Sequence, residues 1–399
     1  MSTQRKLFVE DIQTAGKRVI VRVDFNVPLK DGKVESDKRL KESLPTIKYL
    51  KEKGAKVILM SHLGRPDGKR NPEFSLRPVA DALAALLGSP VSFADDCVGE
   101  AAEKAVAAMK NGDVLLLENT RFHKEEEKND PAFVEKLAKL GDIYVNDAFS
   151  AAHRAHASTE GLARKLPAYA GRSMQAELEA LGKALEQPQR PVIAVVGGAK
   201  VSTKLELLEN LITKVQALVI GGAMANTFMH AQGVNVQKSL AEKEMADTAR
   251  RILAKAEAAN CAIILPIDAI VAFHFEANAP SHAYGFDAIP EFGMVLDVAS
   301  QSIERIKGAI DDAATLVWNG PLGAFEMPPF DAGTVEVARY AAERTRSGKL
   351  VSVAGGGDTV AALNHAGVGD QFTYVSTAGG AFLEWLEGKT LPGVAALAI

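Results

Sequence analysis

The chain has little that would fix it covalently or hold it in a membrane. Its two cysteines, Cys97 and Cys261, stand far apart among 399 residues and form no CxxC pair. This argues against a disulfide framework or a thiolate metal site and fits a reducing compartment. There is no basic excess either: 46 Lys and Arg against 50 Asp and Glu leave a formal net charge of -4. A nucleic-acid binder would show the opposite balance, so no nucleic-acid partner is expected. Residues 1–17 mix charges with isolated apolar side chains and lack a continuous apolar core, so no secretory leader is expected there. The uncharged stretch 215–237 carries glycines with Asn, Gln and His. Those residues suit a membrane span poorly, and a buried strand and turn leading into a helix are expected instead.

The common short motifs are missing too. No GxxxxGK(S/T) occurs; Gly388-Lys389-Thr390 is a false lead, because Leu383 stands where the first glycine belongs. No GxGxxG follows an apolar run, so a nicotinamide dehydrogenase lacks its fingerprint. His153-Arg154-Ala155 lacks the Asp of a protein-kinase catalytic loop, and HExxH and GxSxG are absent.

What the chain does have is a sustained alternation. Apolar runs at 19–23, 57–60, 114–117, 143–145, 192–196, 218–220, 262–265, 316–318, 350–353 and 372–376 predict buried parallel strands. Helical spacing fills many of the gaps: Leu40, Leu44, Ile47 and Leu50 share one face, Val79, Leu83 and Leu86 another, and 241–259 predicts a further helix. Such β–α repetition predicts an α/β architecture, with parallel sheets covered by helices on both faces. The length predicts two domains. Pro188 and Pro191 end a helix expected over 174–185, and an apolar strand starts directly after them. The end of the chain, 391–399, is apolar and should dock rather than hang in water.

Ligands in open parallel sheets bind beyond the carboxyl ends of the strands, and there the two halves differ. In the first half the strand ends are polar and arginine-rich: Arg22, Asp24 and Asn26; Ser61, His62, Gly64 and Arg65; Glu118, Asn119 and Arg121; Asn146, Asp147, His153 and Arg154, with Arg39 opening the first helix. The planar fork of arginine matches carboxylate and phosphate oxygens, so a small polyanion is the expected ligand. In the second half the strand ends are glycine-rich: Gly197-Gly198 before Lys200 and Lys204; Gly221-Gly222; Asn319-Gly320-Pro321; Gly355-Gly356-Gly357 before Asp358 and Thr359; and Gly379-Gly380. Glycine admits a ligand close to the backbone, and the helix N-terminus that follows favours phosphate. Lys200 and Lys204 fall one helical turn apart, and Asp358 is a candidate ligand for Mg2+. An anion pocket and a nucleotide site together imply phosphoryl transfer. The missing base motif favours an acid acceptor, since a carboxylate is already ionised near neutral pH. A nucleotide-dependent binding module without turnover remains the non-enzymatic alternative.

Taken in order, these residues resemble the phosphoglycerate kinase family. The matching segments are RVDFNVPL (22–29), SHLGRP (61–66), LLLENTRFHKEEEKND (115–130), NDAFSAAHRAHAS (146–158), VVGGAKVSTK (195–204), WNGPLGAFE (318–326), GGGDT (355–359) and LEGKTLPGV (386–394). The resemblance implies two Rossmann-like three-layer α/β/α domains with mainly parallel sheets, joined by an interdomain helix and hinge. The implied division is 1–173 for 3-phosphoglycerate, 174–187 as the joining helix and 188–390 for the nucleotide, with 391–399 packing back on the first domain. It implies Mg2+-dependent transfer between ATP and 3-phosphoglycerate in a cytoplasmic monomer with no membrane partner. By the same likeness Asp24 and Asn26 hold the glycerate end. Arg39, His62, Leu63, Gly64, Arg65, Arg121 and Arg154 surround the acceptor's phosphate, and Arg39 also reaches the transferring group. Lys200 and Gly356 act on that group. Gly198, Lys204, Gly221, Gly222, Asn319, Pro321, Glu326, Gly355, Gly356, Gly357, Asp358 and Thr359 bind nucleotide, with Asp358 also binding the metal. The chain departs from the family's usual residues at Ser150-Ala151, at Ala378, at Phe382 and over 292–297.

Overall fold

A computed structural model of the chain describes residues 6–398. The chain divides into two compact units: one takes the chain up to Leu178 together with the segment from Thr390 onward, the other is Glu179–Lys389. Among the described residues no helix is long and apolar enough to cross a membrane.

The first unit is built on a six-stranded parallel sheet. Its strands are β1 (Arg18–Arg22), β4 (Lys56–Met60), β5 (Ser92–Ala94), β6 (Val114–Leu117), β7 (Ile143–Asn146) and β8 (Ala168–Ala170), in the order β5-β6-β4-β1-β7-β8. A small hairpin, β2 (Leu29–Lys30) and β3 (Lys33–Val34), follows β1. β1 and β4 are apolar in their central residues, Val19–Val21 and Val57–Met60, because helices cover both faces of the sheet. Helix Lys38–Glu52 turns Leu40, Ile47 and Leu50 into the core, as their spacing requires. Truncating a side chain like Leu50, which has no exposed surface, costs about 2–5 kcal/mol. Helix Pro131–Ala138 starts where its sequence says it should. Asp130 accepts the N–H groups of Ala132 and Phe133, and Pro131 needs no partner at the first position. The chain's last segment returns to this unit: Gly393 donates to the Ala152 carbonyl at 2.8 Å, Ala398 to Ala168 at 2.8 Å, and Leu7 to Ala398 at 3.0 Å.

The second unit has a parallel sheet of β9 (Val192–Val196), β10 (Ala217–Ile220), β11 (Ala262–Ile264), β15 (Thr315–Asn319), β16 (Val351–Gly355) and β17 (Tyr374–Ser376), ordered β11-β10-β9-β15-β16-β17. Beside it stands a three-stranded antiparallel sheet of β12 (Asp268–Ala272), β13 (Ser281–Gly285) and β14 (Met294–Val298), with β12 central. Apolar-run analysis missed this sheet because β13, Ser-His-Ala-Tyr-Gly, buries none of its residues fully. It also missed β5 and β8, three-residue strands too short to show a period. The expected joining helix begins earlier than its apolar pattern, at Arg172, runs to Leu181 and continues as a wider turn over Gly182–Glu186.

The start of that helix is fixed by a buried carboxylate. Asp147 accepts the Ser173 N–H at 2.9 Å, and position 171 takes glycine because a Cβ there would come within 2.2 Å of its Oδ1. Burial pushes the Asp147 carboxyl up to about 7, despite the hydrogen bonds that favour its charged form. A folded pKa above the unfolded value of about 3.9 means the native state holds this proton more tightly. The stability from this group is therefore complete below about pH 4 and is lost as pH rises toward 7. Asp147→Asn has no such proton to lose. In urea melts, the stability of the parent relative to the variant should fall between about pH 4 and pH 7 and level off above that.

Candidate functional site

In each parallel sheet the chain winds outward in both directions from a central pair of strands, and a crevice opens beyond the carboxyl ends of that pair. In the first unit the pair is β1 and β7, and in the second it is β9 and β15. The candidate residues gather at these two edges.

At the first edge Asp24 is the hub. Its Oδ1 accepts the Asn26 N–H at 3.0 Å and Arg39 Nη1 at 2.8 Å, while Oδ2 accepts Arg39 Nη1 at 2.7 Å and the Ser150 hydroxyl at 2.5 Å. Asn26 Oδ1 in turn accepts the Gly64 N–H at 2.9 Å. Asn119, wholly buried, clamps the adjoining loop by bonding both the N–H and the carbonyl of Leu63 and accepting the Arg121 N–H at 3.0 Å. Arg121 reaches the Gly64 carbonyl at 3.3 Å and stands 3.6 Å from Glu127. Arg65 is exposed and makes no hydrogen bond or ion pair among the described residues. Arg154 is exposed too, with a guanidinium nitrogen 3.3 Å from the His153 carbonyl.

One residue was present among the strand-end arginines, but its role was not visible from sequence. Arg22 is 1% exposed, and among the described residues it pairs with no carboxylate. Its donors are taken by Ser158 Oγ at 2.9 Å, the Val23 carbonyl at 2.5 Å and His62 Nδ1 at 2.8 Å. Arginine stays protonated and can only donate, so His62 Nδ1 must accept. The imidazole is therefore neutral and carries its proton on Nε2. Burial holds the His62 pKa well below its usual value, and the charges of Arg22, Arg121 and Arg39 act the same way. The edge thus combines fixed cations with a neutral ring that donates from Nε2, a chemistry suited to a small polyanion.

At the second edge two backbones touch. A Cβ on Gly197 would lie 1.8 Å from the Pro321 carbonyl oxygen, and one on Gly320 would lie 2.1 Å from the Gly197 oxygen. Asn319 ties the neighbouring loops together. Its Nδ2 donates to the Gly355 carbonyl at 2.8 Å and its Oδ1 accepts from Lys204 Nζ. Thr359 Oγ1 accepts the Gly320 N–H at 2.8 Å. Helix Gly357–His365 begins after Gly356, whose φ of 98° is open to glycine at little cost. Its first N–H groups have no acceptor within the helix. Lys204 is largely buried, which lowers its pKa against the pull of the Asp358 charge. Lys200 opens helix Val201–Leu211 with its ammonium exposed.

These loops border a cavity of about 630 Å³. Gly198, Gly222, Pro321, Glu326 and Asp358 line it, opposite an apolar wall that includes Leu240, Phe275, Val295, Leu322 and Phe325. The wall draws on β14, which sequence patterning did not identify as a strand. Gly221 lies behind the cavity, packed against Leu322. Phe382, one of the departures from the family pattern, is fully buried between Gly355 and Trp385 and leaves the cavity wall unchanged. Asp297, at the cavity floor, accepts N–H groups of Gly333 and Val298 at 2.8 Å, and burial raises its carboxyl to about 7.

A cluster of possible metal ligands, Asp96, Cys97 and His123, lies beyond the carboxyl end of β5, the edge strand of the first sheet. Asp96 Oδ1 already accepts from His123 Nε2 at 2.7 Å and from the Cys97 N–H at 2.7 Å, and Arg70 stands 3.8 Å from Oδ2. The cluster is satisfied as a hydrogen-bonded corner.

The tautomer argument yields a test. In 15N-detected NMR, His62 should remain neutral with Nε2 protonated across about pH 6 to 8, and Arg22→Met should raise its pKa and admit the other tautomer.

Comparison with known proteins agrees with this layout. A family model described as phosphoglycerate kinase matches residues 9–389. A phosphoglycerate kinase of Rhodopseudomonas palustris is 72% identical over 391 residues, 98% of each chain, and one of Bradyrhizobium diazoefficiens is 70% identical over 391 residues with the same coverage. Among solved structures, phosphoglycerate kinase from Coxiella burnetii superposes with a TM-score of 0.93 at 43% identity, and that from Pyrococcus horikoshii with 0.79 at 33% identity, each covering 98% of both chains. The chain belongs to the phosphoglycerate kinase family.

Proposed function

We propose that the chain carries out its family's reaction, with the polar edge of the first unit holding 3-phosphoglycerate and the glycine-rich edge of the second holding ATP or ADP. The reaction is reversible phosphoryl transfer between ATP and the carboxylate of 3-phosphoglycerate, giving ADP and 1,3-bisphosphoglycerate. The observation that carries this reading is the cavity of the second unit. It combines an apolar wall with glycine backbone at Gly198, Gly222 and Gly323 and with the carboxylate of Asp358 in the first turn of helix Gly357–His365, surroundings suited to a base, a sugar and a polyphosphate. Glu326, which lines the cavity, takes the ribose hydroxyls in this reading.

The acceptor carboxylate is ionised near neutral pH, so no base is required to activate it. The protein's work is positioning and neutralisation of charge. Asp24 and Asn26 hold the hydroxyl and carboxylate end. Arg65, Arg121, Arg154 and the Nε2 proton of His62 grip the phosphate that stays, beside the backbone of Leu63 and Gly64. Arg39 moves from Asp24 to the transferring group, and Lys200 and the Gly356 backbone meet that group from the nucleotide side.

Asp358 fits Mg2+: its carboxylate lines the cavity, is exposed and makes no side-chain hydrogen bond or ion pair among the described residues. Mg2+ is commonly held by one such carboxylate with water and substrate phosphates. Bound there it would neutralise charge on the phosphate chain. In-line transfer also needs both ligands within reach and water excluded, so closure about a hinge on binding both is part of the proposal. A cytoplasmic monomer without membrane or nucleic-acid partners completes it.

A coupled assay with ATP, Mg2+ and 3-phosphoglycerate should show turnover, and its absence would sink the reading. Arg39→Ala should lower kcat about 100-fold or more while ADP affinity by calorimetry stays within about two-fold. Asp358→Asn should weaken binding of MgADP and leave metal-free ADP binding little changed.

A further inference from the structure

We infer that Ser150 is a positioning residue for Asp24, the partner that keeps this carboxylate aimed at the acceptor once Arg39 has left it. The inference rests on the placement of Asp24 in the acceptor site proposed above.

β1 and β7 pair in register, with Arg22 opposite Asn146, so the loops just beyond them meet at one point. There Ser150 occupies a short helical turn, Phe149–Ala151, anchored by the buried ring of Phe149 and by Asn146, whose Oδ1 accepts the Ala148 N–H at 2.9 Å. The turn delivers the Ser150 hydroxyl to Asp24 Oδ2 at 2.5 Å.

All the acceptor positions of Asp24 are taken in this state. Two of the four bonds come from one nitrogen of Arg39, which also lies 3.1 Å from the Asn26 carbonyl. The Arg39 side chain is 38% exposed and that of Asp24 is 14% exposed, so the arginine is the freer partner. An incoming polyanion competes with Asp24 for that guanidinium. When it wins, Asp24 retains the Asn26 N–H on Oδ1 and the Ser150 hydroxyl on Oδ2. Those two bonds fix the rotation of the carboxylate, and the positions vacated by Arg39 then face the hydroxyl of the acceptor. Without the Ser150 hydroxyl the carboxylate turns about its terminal bond, and part of the binding energy is spent on ordering it.

Steady-state kinetics on the full-length protein test this, with parent, Ser150→Ala, Ser150→Thr, Asp24→Asn and the double variant of Ser150→Ala with Asp24→Asn. Ser150→Ala should raise the KM for 3-phosphoglycerate about three- to ten-fold, with kcat within about two-fold and the KM for ATP unmoved. Ser150→Thr keeps the hydroxyl and should restore the acceptor KM. In the Asp24→Asn background, Ser150→Ala should add nothing, because its effect runs through Asp24. An unchanged or lowered acceptor KM in Ser150→Ala, while Asp24→Asn raises it, overturns the inference and leaves the acceptor site standing. An unchanged acceptor KM in Asp24→Asn overturns the placement of Asp24 itself. A fall in kcat and Tm together in Ser150→Ala, or full additivity in the double variant, would make Ser150 structural and also overturn the inference.

Discussion

The backbones of Gly197 and Gly320 lie so close that neither position admits a Cβ. That approach sets the geometry of the glycine-rich edge of the second unit. It brings the ends of β9 and β15 together, which puts Asn319 within reach of both Lys204 and the Gly355 carbonyl. It also sets the Gly320 N–H on Thr359, and so fixes where helix Gly357–His365 starts. The cavity beside this edge follows from two strands converging without side chains between them.

The first edge is organised by a charge. A buried guanidinium usually sits against a carboxylate, because an unpaired ion is costly to desolvate. Arg22 is satisfied by a hydroxyl, a carbonyl and an imidazole. No carboxylate bonds it directly; the buried Glu126 carboxylate stands one residue away, accepting the N–H of the same Ser158 at 2.7 Å. The Arg22 contact keeps His62 neutral, so the ring does not add a further repelling cation to the crowd.

Much of this was legible in the sequence. Long apolar runs such as those of β1, β4, β9 and β15 announce themselves because both faces are covered, and the glycines and arginines at their ends mark the two edges. What stayed hidden has physical reasons. β5 and β8 have three residues each and show no period, and β13 is half-exposed and mixed in character. The role of Arg22 depends on burial, which residue type does not reveal. Phe382 departs from the family pattern, and where its ring packs, against Gly355 and outside the cavity, depends on burial rather than on residue type. Ser150 stood out only as an unusual residue, and its meaning came from the register of β1 against β7.

The return of the chain's end has a consequence for how the protein comes into being. Leu7 and Ala398 share a hydrogen bond, and Val394 and Leu397 are buried in the first unit, while the whole of Glu179–Lys389 lies between them in sequence. During synthesis the second unit therefore has all its residues before the first has its own. The half that begins the chain waits on the ribosome for the last residues to emerge. Until then the carbonyls of Ala152 and Ala168 and the N–H of Leu7 lack the partners that this segment supplies.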